Sequence, residues 1–304
     1  MAINYSIIIP HKDIPDLLQR CLESIPLRDD VEVIVVDDNS DPRRVDFEHF
    51  PGLERKNTFV YFTKEGKGAG YARNVGLDHA QGRWIVFADA DDFFTEDIGT
   101  LLDEMVDAGE DIIFFDYICV MSDDVTIQVE TRSYLHNLIS DYLKGKKSES
   151  VFRKSFPVPW CKLIKKELIE RFHFRFSEVK WGNDEFFSAQ TGRFAKEIRV
   201  CSWIAYVLTL REGSLSYDFC ATAKEFRIRL KEILKCDDVL QDLYGHKARS
   251  RWWLEGSINK IGLRKCIWLC IANVFYPRIF CNTAVPLLKK IKNKMVNRLC
   301  KTMN

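Results

Sequence analysis

The chain has 304 residues, 46% of them hydrophobic, which is enough for a large core built as one large domain with appendages or as two domains. A net charge of +1 singles out no partner, and ten scattered cysteines without a CxxC pair or histidines at ligand spacing argue against a disulfide framework or a zinc site and for a reducing, cytoplasmic setting. No uninterrupted apolar run reaches about 18 residues, so a simple membrane-spanning helix is not expected.

The first third alternates strand and helix signals. Residues 5–10 (YSIIIP) read as a first strand rather than a signal peptide, since no basic segment precedes them. Residues 14–25 place Leu17, Leu18, Cys21, Leu22 and Ile25 at helical spacing. A β-branched run at 31–36 ends in Asp37 and Asp38, and 58–62 is a further strand. The spacing predicts a helix over 71–80, a strand over 84–88, a helix capped by Thr95 through 108, and a strand over 111–121. Near-continuous apolar strands separated by helices imply an α/β fold with a mostly parallel central sheet flanked by helices. Beyond 126 the pattern is mixed, with a polar loop at 144–150 (KGKKSES), a segment dense in aromatics at 153–194, and a strongly helical stretch at 221–243.

Two predicted strands end in acids: VEVIVVDDNSD and RWIVFADADD. In open α/β sheets ligands bind beyond the carboxyl ends of the strands, so both clusters could face one crevice. If the backbone stays extended, Asp89 and Asp91 point to the same side. Oxygen-only donors suit a hard ion, Mg²⁺ or Mn²⁺; a solvated loop whose acids cap the next helix is the plainer alternative. A dinucleotide-binding fold would need a glycine motif after the first strand, where Pro10, His11, Lys12 and Asp13 stand instead. The glycine cluster GKGAG (66–70) reads as a flexible entry loop, with a phosphate cradle at a helix N-terminus as the alternative.

The segments SIIIPHKD, EVIVVDDNSD, GAGYARNVGLDHAQGRWIVFADADD, WCKLIKKELI and GNDEFF occur in this order over residues 5–190. Together they resemble the GT-A fold glycosyltransferases of family 2, of the bacterial surface-polysaccharide type. The resemblance implies the GT-A nucleotide-sugar-binding fold, a nucleotide-sugar donor (UDP-linked), a divalent ion (Mn²⁺ or Mg²⁺), inversion at the anomeric carbon, and a glycan or lipid-linked acceptor. Carried over by position, Asp38 holds the nucleobase with Pro10 beside it, and Arg73 contacts the nucleotide or diphosphate. Asp89 lies by the ribose and metal, Asp91 ligates the metal, and Asp184 is the general base. Two positions depart from the family pattern: Asn183 stands for the usual Glu and Cys161 for the usual Asn. Glu185 and partial burial beside Trp181, Phe186 and Phe187 should push Asp184 upward toward working pH; an N-cap at Asn183 or Asp184 is the plainer reading. His11 reads as a nucleotide contact or a solvated strand end. Trp160 and Phe156 read as core, and Lys162, Lys165 and Lys166 as a wet helix face.

From residue 256 onward there are ten basic residues and no acid, leaving 35 basic and 44 acidic residues before it, a net of −9. An apolar decapeptide (267–276, IWLCIANVFY) and PLLKKIKNKMVNRLCK have the composition of a helix lying in an anionic membrane surface, or of a pair docking on the protein. The division expected is a catalytic domain over 1–220 and a helical, basic extension over 221–304, which either associates peripherally with the inner face of the cell membrane or makes an oligomer contact. No nucleic-acid partner is expected, because the acidic body would repel phosphates. A non-catalytic nucleotide-sugar-binding or scaffold protein, and a metal-dependent nucleotidyltransferase, are the rival readings.

Overall fold

The computed structural model describes residues 2–130, 134–211, 222–244 and 257. The chain divides into two compact units, Met1–Tyr217 and Asp218–Asn304. The first opens with β1 (Tyr5–His11), α1 (Pro15–Glu23), β2 (Val31–Asp38), β3 (Thr58–Thr63), α2 (Ala69–His79) and β4 (Trp84–Phe87). It continues with β5 (Phe93–Phe94), α3 (Asp97–Met105), β6 (Ile112–Met121), α4 (Tyr134–Leu143) and α5 (Ser150–Ser155). Strand β7 (Lys162–Lys165), α6 (Lys166–Phe172), α7 (Asn183–Phe194) and β8 (Ile198–Leu210) complete it.

The eight strands form one sheet in the order β3-β2-β1-β4-β7-β6-β8-β5. Strands β1 to β4 are mutually parallel, β7 runs antiparallel to both β4 and β6, and β6 and β8 are parallel. Every residue of β1, β2 and β4 is buried, as befits strands covered on both faces. Because these three are parallel neighbours, their carboxyl ends share one edge of the sheet. Pairing of β1 with β4 stops at Ile8 opposite Phe87, so Pro10 lies beyond it and its missing N–H costs β4 nothing.

Helix α1 buries Leu18, Cys21 and Leu22, with Pro15 in its first turn. The helix expected over 95–108 is the shorter α3; Thr95 lies just before it, accepting the Asp97 N–H at 3.3 Å and donating to the Ile204 carbonyl. Trp160 and Phe156 are buried, as expected of core residues. Lys162 corrects the wet-face reading. It is buried in β7, its Nζ donates to the Phe156 carbonyl at 3.0 Å, and it lies over the Phe114 and Phe156 rings. Cys21, Cys161 and Cys201 are not bridged by disulfides.

In the second unit, α8 (Ala223–Tyr244) opens with a reciprocal cap: Thr222 Oγ1 accepts the Glu225 N–H and the Glu225 carboxylate accepts the Thr222 N–H. Phe226, Leu230, Ile233 and Leu240 are buried at helical spacing. The apolar decapeptide and the basic segment after it lie outside the described residues. Among the described residues no helix is long and apolar enough to cross a membrane.

Candidate active site

Strand β2 ends in two adjacent carboxylates that keep different company. Asp37 Oδ2 accepts from His11 Nδ1 at 2.8 Å and from Ser40 Oγ at 2.5 Å, while Oδ1 accepts the Ser40 N–H at 3.0 Å. His11 Nε2 accepts the Ile14 N–H at 3.2 Å, which puts the ring proton on Nδ1. Burial pulls the Asp37 pKa upward, yet the bonds from His11 and Ser40 outweigh it and hold the carboxyl below its ordinary value. His11 is 2% exposed, so it is not a solvated strand end but part of this clamp. Asp38 turns the other way. Its Oδ1 and Oδ2 accept the N–H groups of Lys67 and Gly68 at 3.1 and 2.7 Å, and burial raises its pKa.

The GKGAG loop is therefore neither a free entry loop nor a phosphate cradle at those two amides, since they already face a carboxylate. Gly68 adopts φ +96°, a conformation only glycine enters freely, and it caps α2. Lys12 closes the same corner, its Nζ donating to the Asp38 and Asn39 carbonyls at 2.7 and 3.0 Å.

After β4 the chain turns instead of staying extended: the Asp92 N–H bonds to the Asp89 carbonyl at 3.0 Å. The three acids then take separate roles. Asp92 is buried. Tyr206 Oη donates to its Oδ2 at 2.7 Å and the Thr209 N–H to its Oδ1 at 2.7 Å, which ties the turn to β8. Burial, then the neighbouring Asp91 and Asp89, raise its pKa well above the ordinary value. Asp89 and Asp91 remain partly open, with side chains 33% and 23% exposed. Arg73 meets Asp89 Oδ1 at 2.5 Å and Arg211 Nε meets Asp91 Oδ2 at 3.1 Å. Arg20 donates to the Asp91 carbonyl at 2.6 Å while lying over the Phe93 ring. Two arginines, one reaching each acid, are what make this cluster of like charge tolerable. Burial and Asp89 still raise the Asp91 pKa against the pull of Arg211.

Helix α2 joins this turn to α7. Arg73 is 5% exposed; beyond Asp89, its Nη1 donates to Asn183 Oδ1 at 2.9 Å. Asn74 mimics a strand partner, accepting the Phe176 N–H at 2.8 Å and donating to its carbonyl at 3.0 Å. A Cβ on Gly70 would fall 2.2 Å from the Ser177 carbonyl oxygen and 3.0 Å from Asn183 Cβ, so glycine allows this approach. Gly76 does the same against Ile8, where a Cβ would fall 2.4 Å from Cγ2. The ARNVG stretch thus reads physically as a docking face. Asp184 follows Asn183 in the first turn of α7, whose N-cap is Gly182 rather than either of them. It is half-buried, and its pKa is pushed up to about 6 by burial first and then by Glu185, with Arg73 lowering it and Asp89 adding to the rise.

The sheet edge thus carries Pro10, Asp38, Asp89 and Asp91, and Arg73 links Asp89 to the residue beside Asp184. Sequence reasoning missed Arg20, Asn74, Tyr206, Thr209 and Arg211. The last three depend on where β8 packs, which its own residues do not reveal; Arg20 and Asn74 carry no local signal beyond helical spacing. Among the described residues no three Asp, Glu, His or Cys side chains form a ready metal cage. Hard divalent ions are commonly held by one or two carboxylates together with substrate phosphates, and the partly open, oxygen-only pair Asp89 and Asp91 fits that chemistry.

The chain resembles known proteins over much of its length. Residues 6–172 match the family model described as glycosyl transferase family 2. The chain is 27% identical over 226 residues to glycosyltransferase GlyA of Streptococcus pneumoniae, covering 69% of this chain and 31% of that protein. It is 28% identical over 210 residues to the succinoglycan biosynthesis protein ExoO of Rhizobium meliloti, covering 66% and 59%. The chain thus spans about a third of the first relative and under two thirds of the second. Residues 1–349 of S. aureus TarS, solved in complex with UDP-GlcNAc, superpose with a TM-score of 0.58 at 21% identity, over 79% of this chain and 71% of that one. The mannosyltransferase PcManGT from Pyrobaculum calidifontis, in complex with GDP-Man and Mn²⁺, gives 0.55 at 17% identity over 90% and 80%. These likenesses establish the GT-A fold. With its family model covering more than half its length, the chain belongs to glycosyl transferase family 2.

Proposed function

We propose that this chain transfers a sugar, with inversion, from a UDP-linked donor to a glycan or lipid-linked acceptor in surface-polysaccharide biosynthesis. One observation carries the reading. Arg73 bonds Asp89 with one nitrogen and Asn183 with another, which ties the acidic turn after β4 to the residue next to Asp184. The ligands of the two solved neighbours, UDP-GlcNAc and GDP-Man, support a nucleotide-sugar donor, and ExoO supports the polysaccharide setting. On this reading residues 1–220 are the catalytic domain. The extension over 221–304 is a membrane-surface or docking element on the cytoplasmic face.

Asp38 and Pro10 hold the nucleobase at the end of β1 and β2. Asp89 and Asp91 would hold Mn²⁺ or Mg²⁺, whose charge offsets that developing on the departing diphosphate. Asp184 takes the proton of the acceptor hydroxyl as its oxygen bonds to the anomeric carbon. The bond from that carbon to the diphosphate oxygen breaks, and the nucleoside diphosphate leaves. A carboxyl with a pKa of about 6 suits the role of base, being ionised at neutral pH yet basic enough to accept a proton. Base and leaving group on opposite faces of the sugar give inversion.

Calorimetry with a panel of nucleotide sugars, with and without Mn²⁺, tests the reading. UDP-sugar binding that vanishes on chelation and returns with Mn²⁺ is expected. Binding to no nucleotide sugar would overturn it, and metal-dependent binding without transfer would favour a non-catalytic sugar-nucleotide binder.

A further inference from the structure

The family motif places Glu where this chain has Asn183, and the structure gives that amide a definite partner. Arg73 forks, with Nη2 on Asp89 Oδ1 at 2.5 Å and Nη1 on Asn183 Oδ1 at 2.9 Å. The Asn183 amide nitrogen in turn donates to the Val179 carbonyl at 3.3 Å, which orients its oxygen toward the guanidinium. Arg73 Nε has no hydrogen-bond partner among the described residues, and the guanidinium lies 5.3 Å over the Phe176 ring. Three neighbours on α2 hold the same segment: Gly70 admits Ser177 and Asn183, Asn74 binds Phe176, and Arg73 binds Asn183 itself. Gly70 and Arg73 are three residues apart and so share one helix face.

We propose that Asn183 is a positioning residue that sets the Arg73 guanidinium between the acids after β4 and the α7 turn carrying Asp184, as a neutral acceptor that leaves the arginine's charge to those acids. The inference rests on the reading of Asp184 as the base. A carboxylate at 183 would accept the same hydrogen bond but add a second anion to Arg73 and place a negative charge beside Asp184. The charged groups that act on Asp184 are Glu185 on its own helix, Arg73 on α2 and Asp89 after β4. An amide contributes orientation without adding to the two acidic members of that set.

Two variants separate orientation from charge. Asn183→Ala removes the acceptor, and kcat should fall about tenfold or more at every pH while donor affinity, read by calorimetry with Mn²⁺, changes less than about threefold. Asn183→Asp keeps the acceptor, so kcat at high pH should return to within about threefold of the wild type, with the acidic limb of the pH profile displaced upward. In parallel, carboxyl NMR of the full chain should show Asp184 titrating at higher pH in Asn183→Asp than in the wild type, whether or not a substrate is in hand. Wild-type kcat in Asn183→Ala, or an Asp184 titration and acidic limb that stay put in Asn183→Asp, would overturn the proposal. A wild type that transfers no sugar, with the Asp184 titration still displaced by Asn183→Asp, would sink the catalytic reading and leave the charge argument standing.

Discussion

The two acidic strand ends of this molecule solve the same electrostatic problem by different means. After β2, Asp37 and Asp38 are satisfied by neutral donors: the His11 ring, Ser40, and the backbone amides of Lys67 and Gly68. After β4, the acids draw on cations from distant parts of the chain, Arg73 on α2 and Arg211 beyond β8. Both acids of the first cluster are buried, whereas in the second only Asp92 is. Only the β4 cluster keeps two carboxylates partly open and balanced by arginine. Neutral donors hold a carboxylate in place without cancelling its charge, whereas an arginine offsets the charge as well. The β2 end is thus closed by its own hydrogen bonds, while the β4 end leaves Asp89 and Asp91 partly open beside their arginines.

Mutation can test whether the two ends differ in this way. The largest effect is expected just outside both clusters. Asp184→Asn should lower transfer by about 10²–10⁴-fold in steady-state assays, with donor binding nearly unchanged. Lost donor binding with residual transfer would reject the role of base. Asp37→Ala leaves His11 Nδ1–H and the Ser40 donors buried without an acceptor, so chemical denaturation should show a loss of about 2–4 kcal/mol. A loss below about 1 kcal/mol would mean that the β2 end is not a rigid clamp. Tyr206→Phe removes one donor to Asp92 while Thr209 remains, and should cost about 1–2 kcal/mol.

The smallest effect is a matter of sign. The Asp184 pKa rises from an unfolded value near 4 to about 6 in the fold, so its favourable contribution is fully present below about pH 4 and is lost as pH rises through 6. Asp184→Asn never ionises. Its Tm should therefore exceed that of the wild type at pH 8, by a few degrees at most, and the gap should close toward about pH 4. An unchanged or lower Tm at about pH 8 would mean that Asp184 is not destabilised in its charged form.

Much of the architecture was legible in the residues. Runs such as SIIIP and VEVIVV can only be strands buried on both faces, and their helical partners follow from apolar spacing at Leu18, Cys21 and Leu22. The acid tips were equally plain, because a buried strand that ends in carboxylates has to reach a polar boundary. β8 is rich in β-branched and aromatic residues over 203–210 (WIAYVLTL), yet its sequence does not say where it packs: its place is set by its partners β6 and β5.

Local order in the chain thus decided the parallel strands, the helices between them and the presence of acids at two strand ends. Which acid is clamped and which stays open was decided only when the chain closed. His11 lies 26 residues from Asp37, Tyr206 lies 114 from Asp92, Arg211 lies 120 from Asp91, and Asn183 lies 110 from Arg73. The physical reason is that a charge's state depends on every group within a few ångströms, and in a folded sheet those groups come from elements far apart in sequence.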